Sequence, residues 1–480
     1  MPFEPAFLAT ILPELILLST ACTVLIVDLY INEEQRGWNH NLAILGLAAT
    51  LGCVGMLGGN DVTFAFSDSF IRDPFGDLLK GVILILTILT FVYSRDYMRE
   101  RGLWVGEYHV LVLFAALGML IMVSAHSFLT LYLGLELLAL CLYPLVAMDR
   151  DSKPGAEAAM KYFVLGALGS GMLLYGISML YGATGSFNFA QVAEAVASQG
   201  MDNKILVFGL VFVLIGVAFK FGAVPFHMWL PDVYQGAPMP IVLFLSSAPK
   251  IAAFAMASRI LIDSLGALQS DWGEILIILS ILSMGLGNIV AIAQTNIKRM
   301  LAYSTISHVG FIFLGLLAGT QEGYAAAMFY TVVYALMAAG AFGVLAMISV
   351  NGVEIENLDD LKGLNDRDAW LAAMLALMMF SMAGVPPAVG FFAKLLVLDA
   401  VVSIGLTWLA VVAVVFSIIG AFYYLRVVKF IYFDKPAEDS TPLQLAGDAR
   451  IAISVNGLAV LFFGIFPASL LGICTAAFVR

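Results

Sequence analysis

Four ionisable residues stand inside apolar runs, where a charge is costly. Glu136 lies in "FLTLYLGLELLALCLYPLV", Lys220 in "AFKFGAVPFHMWLPD", Lys250 in "FLSSAPKIAAFAM" and Lys394 in "AVGFFAKLLVLDA". Glu136 stands about 10 residues into its run and Lys250 about 12, so helical rise places them roughly 15 and 18 Å deep, near the middle of a bilayer. A charge there costs about 3 kcal/mol on insertion scales. Burial disfavours an ammonium and a neighbouring carboxylate favours it. A buried lysine beside an acid can therefore load and release a proton, which a permanently protonated arginine cannot. One acid and three deep lysines point to proton transfer. A set of structural pairs is the competing reading. Lys80 and Arg259, close to span ends, read instead as side chains that snorkel to the interface.

Prolines stand beside the same lysines. Pro225 offers no N–H to the carbonyl of Phe221, and Pro249 none to Leu245. Pro386 and Pro387 likewise strand the carbonyls of Met382 and Ala383. Bare carbonyls at membrane depth are tolerated only inside protein or beside water. Each break is thus predicted to admit water to a lysine, and water relays protons. His227 and His308 are relay candidates, because histidine titrates near physiological pH; each reads equally well as a hydrogen-bonded interior residue. His109 and His126, near span ends, read as interior histidines. Asp232, following Pro231, is expected to cap a helix start.

The elements that position these residues must be membrane helices. The chain has 480 residues, 61% of them hydrophobic and 12% charged, with a net charge of -11. Its mean hydropathy is +0.97. No soluble domain hides that much apolar surface. The runs are continuous rather than alternating, which excludes a β-barrel. Cys22, Cys53, Cys141 and Cys474 lie far apart, so spacing supports neither a zinc nor an iron–sulfur site. No basic leader with a cleavage site precedes the first run, which is read as a retained span.

The hydrophobic-run rule gives about 14 spans. They fall near 7–30, 41–58, 75–94, 107–125, 126–147, 158–183, 204–225, 238–262, 273–295, 300–318, 323–349, 369–400, 402–432 and 451–476. Basic residues fall with one parity. Arg36, then Arg95, Arg99 and Arg101, then Arg150 and Lys153 follow spans one, three and five. Lys298 and Arg299, then Lys362 and Arg367, then Lys435 follow spans nine, eleven and thirteen. The opposite loops hold little beyond Arg72, Lys204 and Arg480. The positive-inside rule then places both termini away from the cytoplasm. "FGAVPF" and "MAGVPP" interrupt spans seven and twelve, which run in opposite directions. That is the pattern of an inverted repeat, spans four to eight and nine to thirteen.

At these residues a family resemblance emerges. "PFHMWLPDVYQGAPMPIVLFLSSAPK" (225–250), "NIKRMLAYSTISHVGF" (296–311) and "GVPPAVGFFAK" (384–394) resemble the antiporter-like membrane subunits of respiratory complex I, the proton-translocating NADH–quinone oxidoreductase. The resemblance covers essentially the whole chain. Of the related N, M and L members, "VYQGAP" and the lysine at 394 are similar to subunit N, called subunit 2 in mitochondria.

The resemblance implies an all-α polytopic fold with two inverted five-helix repeats and broken helices seven and twelve. The segments would be 1–106 (helices one to three), 107–262 and 263–432 (the repeats) and 433–480 (the last helix). It implies that Glu136 pairs with Lys220, that Lys250 is the central relay and that Lys394 ends the second half-channel. It implies no redox chemistry, catalytic residue, metal or cofactor in this chain. NADH, flavin, iron–sulfur clusters and quinone would be bound by partner subunits. Expected partners are the bilayer, subunit M and small membrane subunits of a bacterial inner-membrane complex, without nucleic acid. A subunit of a related cation/proton antiporter or membrane-bound hydrogenase is one alternative. A structural spacer or a quinone-binding redox subunit is another.

Overall fold

A computed structural model describes residues 5–59, 61–199, 203–349, 354–435 and 446–478. Arg480 lies outside the described residues. In chain order the first helices are α1 (Pro5–Thr10), α2 (Leu12–Asp28), α3 (Gly37–Leu57), α4 (Pro74–Glu100), α5 (Gly106–Val123), α6 (Phe128–Val146), α7 (Lys153–Thr184), α8 (Phe189–Gln199) and α9 (Lys204–Phe221). Next come α10 (Trp229–Gly236), α11 (Met239–Ser246), α12 (Ala248–Ser258), α13 (Gln269–Ala293), α14 (Ile297–Leu317) and α15 (Gln321–Ile348). The last are α16 (Leu364–Arg367), α17 (Ala369–Ala383), α18 (Val389–Ser403), α19 (Thr407–Tyr432), α20 (Gly447–Ile465) and α21 (Pro467–Ala477). Strands β1 (Thr63–Ala65) and β2 (Phe70–Arg72) form one antiparallel hairpin.

Among the described residues, 12 helical segments are long and apolar enough to cross a membrane. The protein is thus a mostly helical, multi-pass membrane protein. Other expected runs are built differently. The first contains the 17-residue α2. The run at 369–400 divides into α17 and α18 because Gly384 takes a left-handed φ of 88° and Pro386 and Pro387 follow. The run at 451–476 divides between α20 and α21. Between α7 and α9 the chain forms α8, which the span pattern does not include. This helix buries Phe189, Val192 and Val196, spaced as one helical face.

The chain packs as two compact units. The first comprises Met1–Phe91, Leu103–Phe221 and Ala248–Glu274. Within it α5 packs on α6, α7 on α9, and α12 on both α5 and α9. The second comprises Val92–Gly102, Gly222–Ser247 and Ile275–Arg480. Here α15 is central and contacts α11, α14, α17, α18, α20 and α21. Helix starts follow from local chemistry. Ser127, Ser152, Asn296, Thr320 and Asp368 each accept an N–H from the first turn that follows.

Two cations read as snorkelling side chains are instead buried in the first unit. Lys80 is 0% exposed, and its Nζ lies 2.7 Å from Glu14 Oε1. Arg259 is also 0% exposed, at the start of a π-helical turn, Arg259–Ser264. Its Nη1 and Nη2 each donate to Asp73 at 2.8 Å, its Nε donates to the Val123 carbonyl at 3.2 Å, and Nη1 also reaches Asp263 at 3.2 Å. The reason is pairing: a carboxylate on a neighbouring segment makes burial cheaper than the reach to water. Asp232 also departs from expectation. It lies inside α10, where it takes Arg299 at 2.6 Å instead of capping a helix start. Nearby, Glu354 holds both Lys298 at 3.2 Å and Arg101 at 3.1 Å.

Removing one partner of a buried pair leaves the other charge uncompensated. Arg259→Met is expected to destabilise the protein by about 3 to 5 kcal/mol, read as a lowered unfolding midpoint in detergent. Adding Asp73→Leu should recover part of that loss.

Candidate functional site

The candidate site begins with two helix ends. The last carbonyls of any α-helix have no partner within the helix. They also carry the negative end of its dipole, which favours a cation. α9 ends at the fully buried Phe221, and Gly222 then takes φ 77°. α17 ends at buried Ala383, and Gly384 takes φ 88°. In both cases the residue before the left-handed glycine offers its carbonyl to a lysine. Lys250 Nζ donates to the Phe221 carbonyl at 2.9 Å. Lys394 Nζ donates to the Ala383 carbonyl at 2.9 Å and to Ser417 Oγ at 2.9 Å. These are the carbonyls that Pro225 and Pro387 strand. The partner of each is the lysine itself.

Serines serve the stranded N–H groups. Val224 N–H donates to Ser283 Oγ at 3.0 Å after the first break. Gly390 N–H donates to Ser381 Oγ at 3.1 Å after the second. A third break falls at Ser247, between α11 and α12, and Pro249 is the second residue of α12. Ser246 and Ser247 both donate their hydroxyls to the Leu243 carbonyl, at 3.0 and 2.7 Å.

The first unit holds three of the four charges. Glu136 on α6 is half-buried and accepts a hydrogen bond from the Ser170 hydroxyl on α7. Tyr132, one helical turn earlier on the same face, interacts electrostatically with the Glu136 carboxylate. Lys220, near the end of α9, is half-buried. It interacts electrostatically with the Glu136 carboxylate and with Lys250. Lys250 on α12 is only 2% exposed. Glu136 attracts Lys220, and Lys250 repels it. A change of protonation at any member alters the energy of the next.

The second unit holds Lys394 and His308. Lys394 is half-buried, and its ammonium sits over the Phe311 ring at 5.3 Å. His308 on α14 is buried and interacts electrostatically with Lys394. Its Nδ1 lies 2.7 Å from Tyr330 Oη and its Nε2 3.0 Å from Tyr424 Oη. His227 lies apart, in the turn after α9.

Several polar partners were not singled out in the sequence. Tyr132 stands four residues before Glu136, so helical spacing alone could have found it. Ser170, Ser417, Tyr330 and Tyr424 come from distant helices and carry no such signal. Among the described residues no cluster of histidine, cysteine or acidic side chains could hold a metal ion.

Residues 125–420 match the family model for NADH:quinone oxidoreductase/Mrp antiporter, TM. NADH-quinone oxidoreductase subunit N of Thioalkalivibrio sulfidiphilus is 54% identical over 478 residues, covering 99% of each chain. A chain in the structure of respiratory complex I from Thermus thermophilus superposes with a TM-score of 0.82 at 32% identity, over 96% of this chain and 98% of that one. A chain of the Mrp complex from Dietzia sp. superposes with a TM-score of 0.87 at 20% identity, over 99% of this chain and 97% of that one, which shows a shared fold.

The second break can be tested apart from backbone strain. A Cβ on Gly384 would meet Lys394 Cδ at 3.0 Å, whereas a Cβ on Gly102, also left-handed at φ 66°, would meet nothing within 4 Å. Both alanine substitutions carry the left-handed cost of about 1 to 2 kcal/mol. Gly384→Ala is expected to lower the thermal midpoint further than Gly102→Ala, because it also presses on the lysine.

Proposed function

The chain belongs to the subunit N family of NADH–quinone oxidoreductase, within the transmembrane family shared with Mrp antiporters, and on that premise we propose that it translocates protons for such a complex without carrying electrons itself. Quinone reduction in partner subunits changes the charge balance at Glu136 and Lys220. The proton of Lys220 moves to Lys250 and is handed on towards Lys394. NADH, flavin, iron–sulfur clusters and quinone belong to the partners. These include subunit M and small membrane subunits in a bacterial inner membrane, with both termini of this chain on the periplasmic side.

The observation that carries this reading is the repeated lysine on a helix-end carbonyl, Lys250 on Phe221 and Lys394 on Ala383. A lysine that loses its proton still has two N–H groups, so it can keep the carbonyl bonded in either state. Such a group can change charge without leaving a buried polar group bare. The same repetition supports two inverted repeats, 107–262 and 263–432. In each, a helix ends before a left-handed glycine and a proline.

Proton pumping and NADH:quinone electron transfer, measured together in vesicles with assembly confirmed, test the reading. Lys220→Ala and Glu136→Gln are each expected to lower protons pumped per electron or to slow coupled turnover at least tenfold. Unchanged values in both variants would remove this channel from the required route.

A further inference from the structure

Segment 222–247 connects the two partners of one helix-end bond. It begins directly after Phe221, whose carbonyl accepts the Lys250 amine, and ends directly before α12, of which Lys250 is the third residue. The bond between Lys250 and Phe221 therefore closes a loop of chain. Whatever fixes that loop bears on the bond at its ends. The loop also contains "VYQGAP", which the charged route through Glu136 and the lysines leaves unexplained.

The loop is clamped at several places within the second unit. Near its start, Val224 N–H donates to Ser283 Oγ. On α10, Asp232 and Gln235 both accept from Arg299 Nη1, at 2.6 and 3.1 Å. At the corner between α10 and α11, Lys298 Nζ donates to the Ala237 carbonyl at 3.1 Å, and Tyr97 Oη accepts the Met239 N–H at 3.4 Å. Pro238, between them, has no N–H of its own to anchor the corner. Lys298 and Tyr97 are each only 3% exposed.

One carboxylate stands behind both of these groups. Glu354 accepts from Lys298 at 3.2 Å and from the Tyr97 hydroxyl, and Arg101 Nη2 lies 3.1 Å away. Its own backbone is held close by. Arg101 Nη1 donates to the Ser349 carbonyl at 2.9 Å, the Ile297 N–H to the Glu356 carbonyl at 2.7 Å, and the Leu358 N–H to the Thr295 carbonyl at 2.9 Å. A buried ammonium is stable only with a partner that offsets its desolvation. Glu354 is the carboxylate that pairs with Lys298 among the described residues. Its charge therefore holds Lys298 on one side of Pro238, and its second contact aims Tyr97 at the other.

Resting on the proton-translocating reading above, we infer that Glu354 is a positioning residue for Lys250. By holding Lys298 and Tyr97 on the Ala237–Met239 corner, it fixes the loop whose ends carry the amine and the carbonyl. Glu354 transfers no proton itself. Its effect reaches Lys250 through the chain.

The test uses the assembled complex, reading amide hydrogen exchange of segment 239–246 in detergent and protons pumped per electron in vesicles. The variants are Glu354→Gln, Lys298→Met, the two combined, Lys220→Ala, and Asp448→Asn as a control. Asp448 pairs with Arg95, on the same helix as Tyr97, and touches neither Lys298 nor Glu354. Loss of a hydrogen bond to a charged group sets the expected exchange in Glu354→Gln about tenfold faster. Protons per electron are expected to fall in that variant and in Lys298→Met, with no further fall in the combination, because both remove one link. Asp448→Asn should keep the normal exchange and the full ratio. A full ratio in Glu354→Gln beside a loss in Lys220→Ala would overturn the positioning role alone, whatever the exchange shows. An equal loss in Asp448→Asn would overturn it too, by assigning the effect to general loosening. A full ratio in Lys220→Ala would overturn the translocation reading and this role with it. Should Glu354→Gln fail to assemble, Tyr97→Phe breaks the link to Met239 by removing one oxygen atom, and unchanged exchange and ratio there would overturn the role.

Discussion

A helix that stops inside the protein leaves carbonyls facing inward, and at membrane depth water is scarce. The rest of this structure depends on how those carbonyls are met. Phe221 and Ala383 each end a helix, and a lysine amine bonds each carbonyl at 2.9 Å. The glycines that follow turn the chain away, and Ser283 and Ser381 take up N–H groups freed near the breaks. The lysines are thus held by the interruptions, and the interruptions are stabilised by the lysines. Neither makes structural sense without the other.

The buried cations fall into two chemical kinds. Arg259 faces Asp73 at 2.8 Å and Lys80 faces Glu14 at 2.7 Å. Each of those pairs keeps its charges in place, because loss of either partner exposes a bare ion to a low-dielectric surround. Lys250 and Lys394 donate to neutral carbonyls, which tolerate an amine in either charge state. Lys220 stands between the two kinds, with Glu136 attracting it and Lys250 repelling it. In the proposed route, the fixed pairs hold the frame in which these amines change charge.

Much of this was legible in the sequence, because composition and periodicity report burial in lipid directly. Apolar runs located the membrane helices, and Gly384 with Pro386 and Pro387 marked the division of α17 from α18. Partner choice was less legible. Lys80 and Arg259 lie near span ends, and their carboxylates, Glu14 and Asp73, come from distant segments that no local spacing links to them. Only Asp263, one turn after Arg259, could have signalled burial. Asp232 looked like a cap because it follows a proline, yet Arg299 takes it. α8 escaped because it is too short and too polar for a span, while its inward residues keep a helical period.

The central claim is that the amine at a helix end both holds the carbonyl and releases its proton. Lys250→Arg separates those roles, since arginine donates to a carbonyl but stays protonated. Proton pumping and NADH:quinone electron transfer should be measured together in vesicles carrying that variant, with assembly verified. The account predicts an assembled complex whose pumping per electron falls or whose coupled turnover stalls. An assembled complex that pumps at the unmodified ratio and rate would contradict it, because the cation at this position would then be a fixed structural charge.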